Sequence, residues 1–277
     1  MSYIKSLSTL YHTMSLPSSQ EGRLALTLGA VLLGSSTFLL PIAYRDYRLF
    51  KSYGPGGLPS NVFGWFIVRA FFQPFKREMI STDEYVNRTN AAGGHEHDGF
   101  LALSSEQLVQ RSSDGRPVVG PHAVPQRQLT QIPEQDIKDK LQAEIEAFVA
   151  RNLHLVKFQK SNLERHANGV FLADHIPRNK LARTMKGEAA HVHSGNDHSL
   201  HVVLAPADCK TVIDAGWAQR HGFAGTKAMT FFALGTRENI PSEYILIYAP
   251  RTEAEVATVM EIVTASVKNM SGREDVR

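Results

Sequence analysis

The stretch Glu188-Ala-Ala-His-Val-His-Ser-Gly-Asn-Asp-His-Ser-Leu-His-Val-Val-Leu204 contains two β-prone runs separated by turn-forming residues. Ser194 to Asp197 supply the turn, so the stretch predicts an antiparallel hairpin. Alternate side chains of a strand share a face, and His191 and His193 are therefore expected on the same side of the sheet. The sequence predicts a β-sheet with one histidine-bearing face.

The length of the hairpin loop decides which other histidine joins this pair. A five-residue loop places His193 opposite Ser199 and His191 opposite His201, and opposed residues of an antiparallel pair share a face. Three imidazoles then converge. A four-residue loop pairs His193 with His198 and turns His201 to the other face. Both registers are compatible with the sequence.

Clustered imidazoles support three interpretations. His191, His193 and His201 could bind a metal ion, since neutral imidazole suits zinc, copper, iron and nickel, and catalytic zinc sites can use three histidines plus water. A metal-free site would use them as proton acceptors, because the pKa of histidine, about 6.5, is near cellular pH. In the third interpretation they are ordinary hydrogen-bonded strand residues.

Further elements surround the hairpin. Other β-like runs are predicted at Gly169–Ala173, Met229–Leu234 and Tyr244–Ala249, beside the hairpin strands Ala189–His193 and Ser199–Leu204. Helical spacing of apolar residues predicts a helix over 137–152, and Pro206–Ala215 predicts a second. Thr252-Glu-Ala-Glu255 is a capping box that begins a third. Residues 131–277 are therefore predicted to form an α+β domain, a small antiparallel sheet flanked by helices.

A different pattern precedes this domain. After a polar leader (1–23), residues 24–44 carry no charge and, at about 1.5 Å per residue, span about 30 Å, the thickness of a bilayer's hydrocarbon core. They predict one N-terminal transmembrane helix. Lysine and arginine are more frequent after it than before it, which predicts a cytosolic C-terminal domain. Residues 45–130 are expected to be a juxtamembrane segment with a long loop, and 62–75 within it form either an interfacial helix or a core helix.

Composition and missing motifs exclude several classes. A net charge of +3 lacks the polybasic character typical of nucleic-acid binding. The single cysteine, Cys209, excludes an intramolecular disulfide and a multi-cysteine zinc site. The chain has no G-x-S-x-G elbow, phosphate-binding loop or H-E-x-x-H motif. His95 and His97 could form a surface metal trap, but a solvated loop is the simpler interpretation.

A second polar cluster, Gly216-Trp-Ala-Gln-Arg-His221, follows the Pro206–Ala215 helix. Trp217 could stack on a flat ligand and Arg220 could hold an anionic oxygen. Core packing of Trp217 is the competing interpretation. Arg251, in Tyr248-Ala-Pro-Arg251, could bind the ligand or orient its loop.

These residues carry a resemblance to the fungal luciferase family that covers nearly the whole chain. The matching motifs, in order, are Pro41-Ile-Ala-Tyr-Arg-Asp-Tyr47, Gln126-Arg-Gln-x-Thr-Gln131, His166-Ala-x-x-Val-Phe-Leu172, Arg183-Thr, Glu188-x-Ala-His191-x-His193, Leu200-His201, Gly216-Trp217-x-Gln-Arg-His221 and Tyr248-Ala-Pro-Arg251. The combination of motifs is specific, whereas any one alone would be weak.

The resemblance implies an oxygenase acting on 3-hydroxyhispidin or a similar hydroxypyrone. O₂ is the co-substrate, an endoperoxide loses CO₂, and no organic cofactor is needed; a metal on His191, His193 and His201 is the alternative. The expected catalytic residues are His191, His193, His201 and His221. The expected substrate-binding residues are Arg183, Glu188, Asp197, Trp217, Arg220, Tyr248 and Arg251.

The chain also departs from the family pattern. Gly222 follows His221 where luminous members carry proline, and residues 226–243 and 90–120 diverge. These changes could reshape the pocket. The alternatives are a non-luminous homologue that acts as a hydrolase or lyase on a related carbonyl compound, or a membrane protein that only binds an aromatic ligand.

Overall fold

A computed structural model describes residues 19–91, 99–103, 108, 111, 115–227 and 240–277. The strand expected at Met229–Leu234 and the histidine pair His95 and His97 lie outside the described residues.

Helices and strands alternate irregularly along the described chain. The helices are α1 (Gln20–Ser52), α2 (Val62–Ile67), α3 (Asp83–Ala91), α4 (Gln135–Arg151), α5 (Lys180–Thr184), α6 (Pro206–Asp214) and α7 (Glu253–Ser271). The strands are β1 (Val156–Lys160), β2 (Asn168–Leu172), β3 (Glu188–Val192), β4 (Leu200–Val203), β5 (Ala218–Arg220) and β6 (Tyr244–Ile247).

The strands form a six-stranded sheet in the order β1-β2-β3-β4-β6-β5, in which every neighbouring pair is antiparallel. The predicted α+β class, an antiparallel sheet flanked by helices, is confirmed. Sequence reasoning missed β1 and β5. In β1 only Val156 and Phe158 alternate with polar residues, too short a pattern to predict a strand, and β5 has three residues.

Local sequence signals define the helix ends. Thr252 accepts a hydrogen bond from the backbone N–H of Glu255 and begins α7, as the capping box predicts. Pro206 stands in the first turn of α6. Gly216 and Gly272 follow α6 and α7 with φ of 82° and 66°, a left-handed conformation that costs glycine little.

The sheet has a helix-covered side and a side bearing histidines. Helices α4 and α7 pack on each other, and α7 also packs on β2, β3 and β4. Strand alternation puts Ala190 and Val192 on the face opposite His191. Ser266 of α7 bonds the carbonyls of Ala189 and Val203 and so fixes the helix to both hairpin strands.

Residues 50–277 form one compact unit, so part of the expected juxtamembrane segment belongs to the folded domain. Phe50, Val68, Phe72, Tyr85 and Leu108 are all buried in its core. Phe50 lies in the last turn of α1, and the other four lie in loops and short helices, where no long periodicity marks them. Residues 1–49 form the other unit.

Helix α1 contains the predicted span 24–44. It is long and apolar enough to cross a membrane. Apolar side chains along it, including Leu24, Phe38 and Ile42, are exposed, which is unlike the core helix of a soluble domain.

The segment 62–75 is both a core element and an exposed one. Helix α2 continues into a π-helical turn (Val68–Phe72) and a 3₁₀ turn (Gln73–Phe75). Val68 and Phe72 are buried, whereas Phe63 and Phe66 are 63% and 53% exposed. The buried face fits the core-helix alternative, and the interfacial alternative stays a prediction for the exposed face.

Candidate functional site

The hairpin adopts the register with a five-residue loop. His191 pairs with His201 across β3 and β4, and the backbone N–H of His193 donates to the carbonyl of Ser199. Because opposed residues share a face, His191, His193 and His201 lie on one side of the sheet. His198 stands in the turn with φ of 58°.

The rings of these three histidines are close together. Their centroids are 5.5 Å (His191–His193), 5.3 Å (His191–His201) and 5.1 Å (His193–His201) apart. His221, just after β5, is 5.4 Å from His201. Tyr244 stacks on His201 at 4.5 Å with an interplanar angle of 13°. Three strands and a loop thus bring four imidazoles into one cluster.

The four histidines line a cavity of ≈ 220 Å³ on this face of the sheet. Three loop segments contribute to its wall, namely 57–59, 124–127 and 162–165, together with Phe72, Ile240 and Tyr244. The cavity therefore lies between the sheet and segments from distant parts of the sequence.

Glu188 orients His191. Its Oε1 lies 2.8 Å from Nδ1 of His191 and accepts the hydroxyl of Ser161, while its Oε2 accepts the backbone N–H of Asn162. A carboxylate that receives these donors is an acceptor, so Nδ1 of His191 carries the proton. In the neutral form of this ring, Nε2 carries the lone pair.

His193 and His201 are held in the same way. Ser199 donates its hydroxyl to Asp197, which leaves the serine oxygen to accept from Nδ1 of His193 at 3.0 Å. The carbonyl of Ile245 accepts from Nδ1 of His201 at 3.1 Å. Both partners act as acceptors, so Nδ1 carries the proton in the two neutral rings. Nε2 of each ring then carries the lone pair.

His221 has the opposite tautomer. Its Nδ1 accepts the backbone N–H of Phe223 at 3.1 Å. The lone pair is therefore on Nδ1 and the proton of the neutral ring is on Nε2. The cluster combines three acceptor rings with one donor ring.

Burial keeps His193, His201 and His221 neutral. It lowers the pKa of His193 and His201 well below the ordinary value, an effect strengthened by Arg127 for His193 and by His193 for His201. Burial also lowers the pKa of His221 to about 3, and it raises the pKa of Tyr244. These imidazoles are uncharged at neutral pH and can accept or donate hydrogen bonds.

An ion pair missed by sequence reasoning borders the cavity. Arg127 Nη2 lies 2.5 Å from Glu164 Oε1, and the other carboxylate oxygen lies 3.8 Å from Nε2 of His193. Burial raises the pKa of Glu164, with Arg127 opposing the shift. The Gln126–Gln131 motif was the available signal for Arg127, but Glu164 stands in an irregular loop without a recognisable pattern.

The second polar cluster contributes only His221 to the cavity wall. Trp217 is buried against Arg111, whose guanidinium carbon is 5.4 Å from the ring centroid. Arg220 pairs with Glu78 and Glu84, each at 3.0 Å. Neither Trp217 nor Arg220 lines the cavity, so the structure fits the packing interpretation of Trp217 and gives Arg220 carboxylate partners instead of a ligand.

The other expected substrate-binding residues also lie off the cavity wall. Arg183 is exposed on α5 and donates to the carbonyl of Arg178, Arg251 pairs with Glu255, and Tyr248 donates to Gln219. Glu188 and Asp197 stand behind the histidines and hold them. The revised wall is made of the four imidazoles, Tyr244 and the three loop segments.

Comparisons with known proteins find relatives that cover most of the chain. The model of a family described as "Luciferase domain" matches residues 186–266, which include all four histidines. A luciferase of Neonothopanus nambi is 33% identical over 276 residues, with 96% of this chain and 94% of that protein covered. A luciferase of Armillaria gallica is 32% identical over 249 residues, with 86% and 85% covered. No solved structure matches the chain.

Proposed function

The chain belongs to the fungal luciferase family, and from this we propose that it oxidises a hydroxypyrone of the 3-hydroxyhispidin type with O₂. The reaction adds both atoms of O₂ to the ring, passes through an endoperoxide and releases one CO₂. The observation that supports it is the convergence of four imidazoles on one cavity.

The first step we propose is removal of the enol proton of the substrate. The Nε2 atoms of His191, His193 and His201 give the cavity wall a set of candidate acceptors for this proton. The resulting enolate is electron-rich and supplies the electrons that O₂ takes up. No organic cofactor is therefore needed. The three nitrogens can act as bases or as metal ligands. Measuring the metal content of the purified protein distinguishes these two roles.

His221 is proposed to stabilise negative charge on the substrate. Its Nε2–H is a fixed donor, because the backbone N–H of Phe223 holds the other ring nitrogen. A fixed donor in a site that excludes bulk water stabilises a developing oxyanion without reorganising. We propose this role for His221 in place of the anion-holding role expected of Arg220.

We further propose that α1 anchors the protein in a membrane through residues 24–44, with residues 50–277 in the cytosol. The length and composition of α1 support the anchor, and the lysine and arginine distribution supports the orientation. The exposed phenylalanines of the 62–75 segment would then contact the lipid headgroup region. A flat aromatic substrate is the expected partner, and no nucleic acid is expected.

The direct test is to add 3-hydroxyhispidin to the purified full-length protein and to record O₂ uptake, CO₂ release and photon emission together. We expect one O₂ consumed for each CO₂ released. Photon counts in the same cuvette show whether turnover is luminous. Substrate loss without O₂ uptake would support a hydrolase or lyase, and unchanged substrate would support a binding protein; either result refutes the proposal.

A further inference from the structure

Three of the four clustered imidazoles share one feature. His191, His193 and His201 each direct Nδ1 to an acceptor in the protein, namely Glu188, Ser199 and the carbonyl of Ile245. Among the described residues no protein hydrogen bond is found at Nε2 of the three rings, and a Glu164 carboxylate oxygen lies 3.8 Å from Nε2 of His193. In the neutral tautomers three Nε2 lone pairs therefore belong to the cluster that lines the cavity.

Separate water molecules in the cavity of ≈ 220 Å³ can each donate to one of these nitrogens. A cation can attract all three lone pairs at once. Metal-bound histidines in proteins also characteristically donate the other ring N–H to a carboxylate, a carbonyl or water.

We infer that His191, His193 and His201 form a binding site for one divalent transition-metal ion of the zinc, cobalt or iron type. One ligand nitrogen of each lies within 4.8 Å of those of the other two. A central point is then at most about 2.8 Å from each nitrogen, so an inward shift of about 0.7 Å per ring gives the usual bond of about 2.1 Å. All-imidazole ligation suits these metals.

The surroundings favour a site with an open coordination position. The three ligands stand on β3, on β4 and at the start of the hairpin turn, with their Nδ1 partners behind them. All three also line the cavity. Three histidines with a fourth position open to substrate or water are typical of catalytic rather than structural zinc sites.

Metal binding rests on this geometry and does not depend on the proposed oxygenase activity. If the proposed function is also correct, the open position would receive an enol oxygen of the hydroxypyrone. A Lewis acid there lowers the pKa of the enol and so assists its deprotonation. The Nε2–H of His221, which also lines the cavity, would hydrogen-bond the same ligand.

The test uses purified full-length protein in detergent, treated with a chelator and titrated with Co²⁺ in the absence of substrate. We expect one equivalent to bind with visible d–d absorption, and Zn²⁺ to displace it. His201→Ala should lose the band. Glu188→Gln preserves side-chain volume and should weaken binding by about 10- to 100-fold, the usual effect of losing a hydrogen-bond partner of a ligating histidine. His175→Ala, at an exposed histidine outside the cluster, is the matched control.

The inference is refuted if folded wild-type protein, checked by circular dichroism, binds no stoichiometric Co²⁺ or Zn²⁺. Binding by Glu188→Gln as tight as binding by wild type and by the control His175→Ala would also refute it. Protein that binds Co²⁺ but consumes no O₂ would leave the site in place and refute the proposed function. Protein that turns over after complete metal removal would support the proposed function and refute a metal role in it.

Discussion

His191 lies directly opposite His201 in the β3–β4 pair, with ring centroids 5.3 Å apart. This pairing follows from a five-residue hairpin loop. A loop shorter by one residue would place His201 on the other face of the sheet. The relationship between these two histidines therefore decides whether the protein has a three-histidine cluster.

Replacing His201 should remove activity, whereas replacing His198 should not. His201→Ala deletes a ring at the centre of the cluster, and we expect turnover to fall by about 10²- to 10⁴-fold, the usual contribution of a proton-transfer group. His198→Asn is the control, because asparagine tolerates the positive φ of that turn position. O₂ uptake with 3-hydroxyhispidin is the measurement, and equal losses would contradict the site.

Tyr244 should act by packing rather than through its hydroxyl. Tyr244→Phe keeps the ring stacked on His201, so near wild-type turnover is expected. Tyr244→Ala leaves a void beside the cluster and should lower the free energy of unfolding by about 3–5 kcal/mol, with a matching loss of turnover. Thermal unfolding and O₂ uptake measure the two effects. A tenfold loss in the phenylalanine variant would instead assign the hydroxyl a chemical role.

Arg127 should stabilise the cavity wall by neutralising Glu164. Arg127→Gln leaves a buried carboxylate without its cation, which should cost about 3–5 kcal/mol of unfolding free energy. Adding Glu164→Gln should restore part of this loss, because the second change removes the unpaired charge. Chemical denaturation of both single variants and the double variant gives the coupling energy, and strict additivity would show that the pair contributes none.

Arg220 should affect stability and leave substrate affinity unchanged. Its guanidinium holds Glu78 and Glu84, and hydrogen bonds to charged groups contribute about 1.5–3 kcal/mol each. We expect Arg220→Gln to lower the melting temperature while the KM for the hydroxypyrone stays within twofold of wild type. A large rise in the KM of a folded variant would indicate that Arg220 contacts the substrate.

The exposed phenylalanines should attach the folded domain to lipid without the anchor. Protein lacking residues 1–49 retains the whole compact unit, and Phe63 and Phe66 remain on its surface. We expect this protein to float with anionic vesicles and the variant Phe63→Ser/Phe66→Ser to float much less. Val118→Ser, which removes another exposed apolar side chain, is the control. Indistinguishable flotation of all three proteins would exclude a lipid-binding role for this face.

Local patterns in the sequence were sufficient for much of the fold. The charge-free run 24–44, the capping box at Thr252 and the glycine after α6 each depend on residues close in sequence, and the structure has the corresponding helix or helix end. The edge strand β1 was missed because only Val156 and Phe158 alternate with polar residues, so its place comes from pairing with β2 and not from its own pattern.

The sequence by itself determined that several histidines lie on two adjacent strands, since side-chain alternation is a local property of extended chain. Only the tertiary structure decided the register that pairs His191 with His201. It also decided that His221 and Tyr244 lie beside this pair, and that Glu164 and Arg127 lie at the cavity wall. The tertiary structure likewise left Trp217 and Arg220 outside the cavity wall. Contacts between residues far apart in the chain depend on how strands pair and loops close over the sheet, and no periodicity within one segment encodes that.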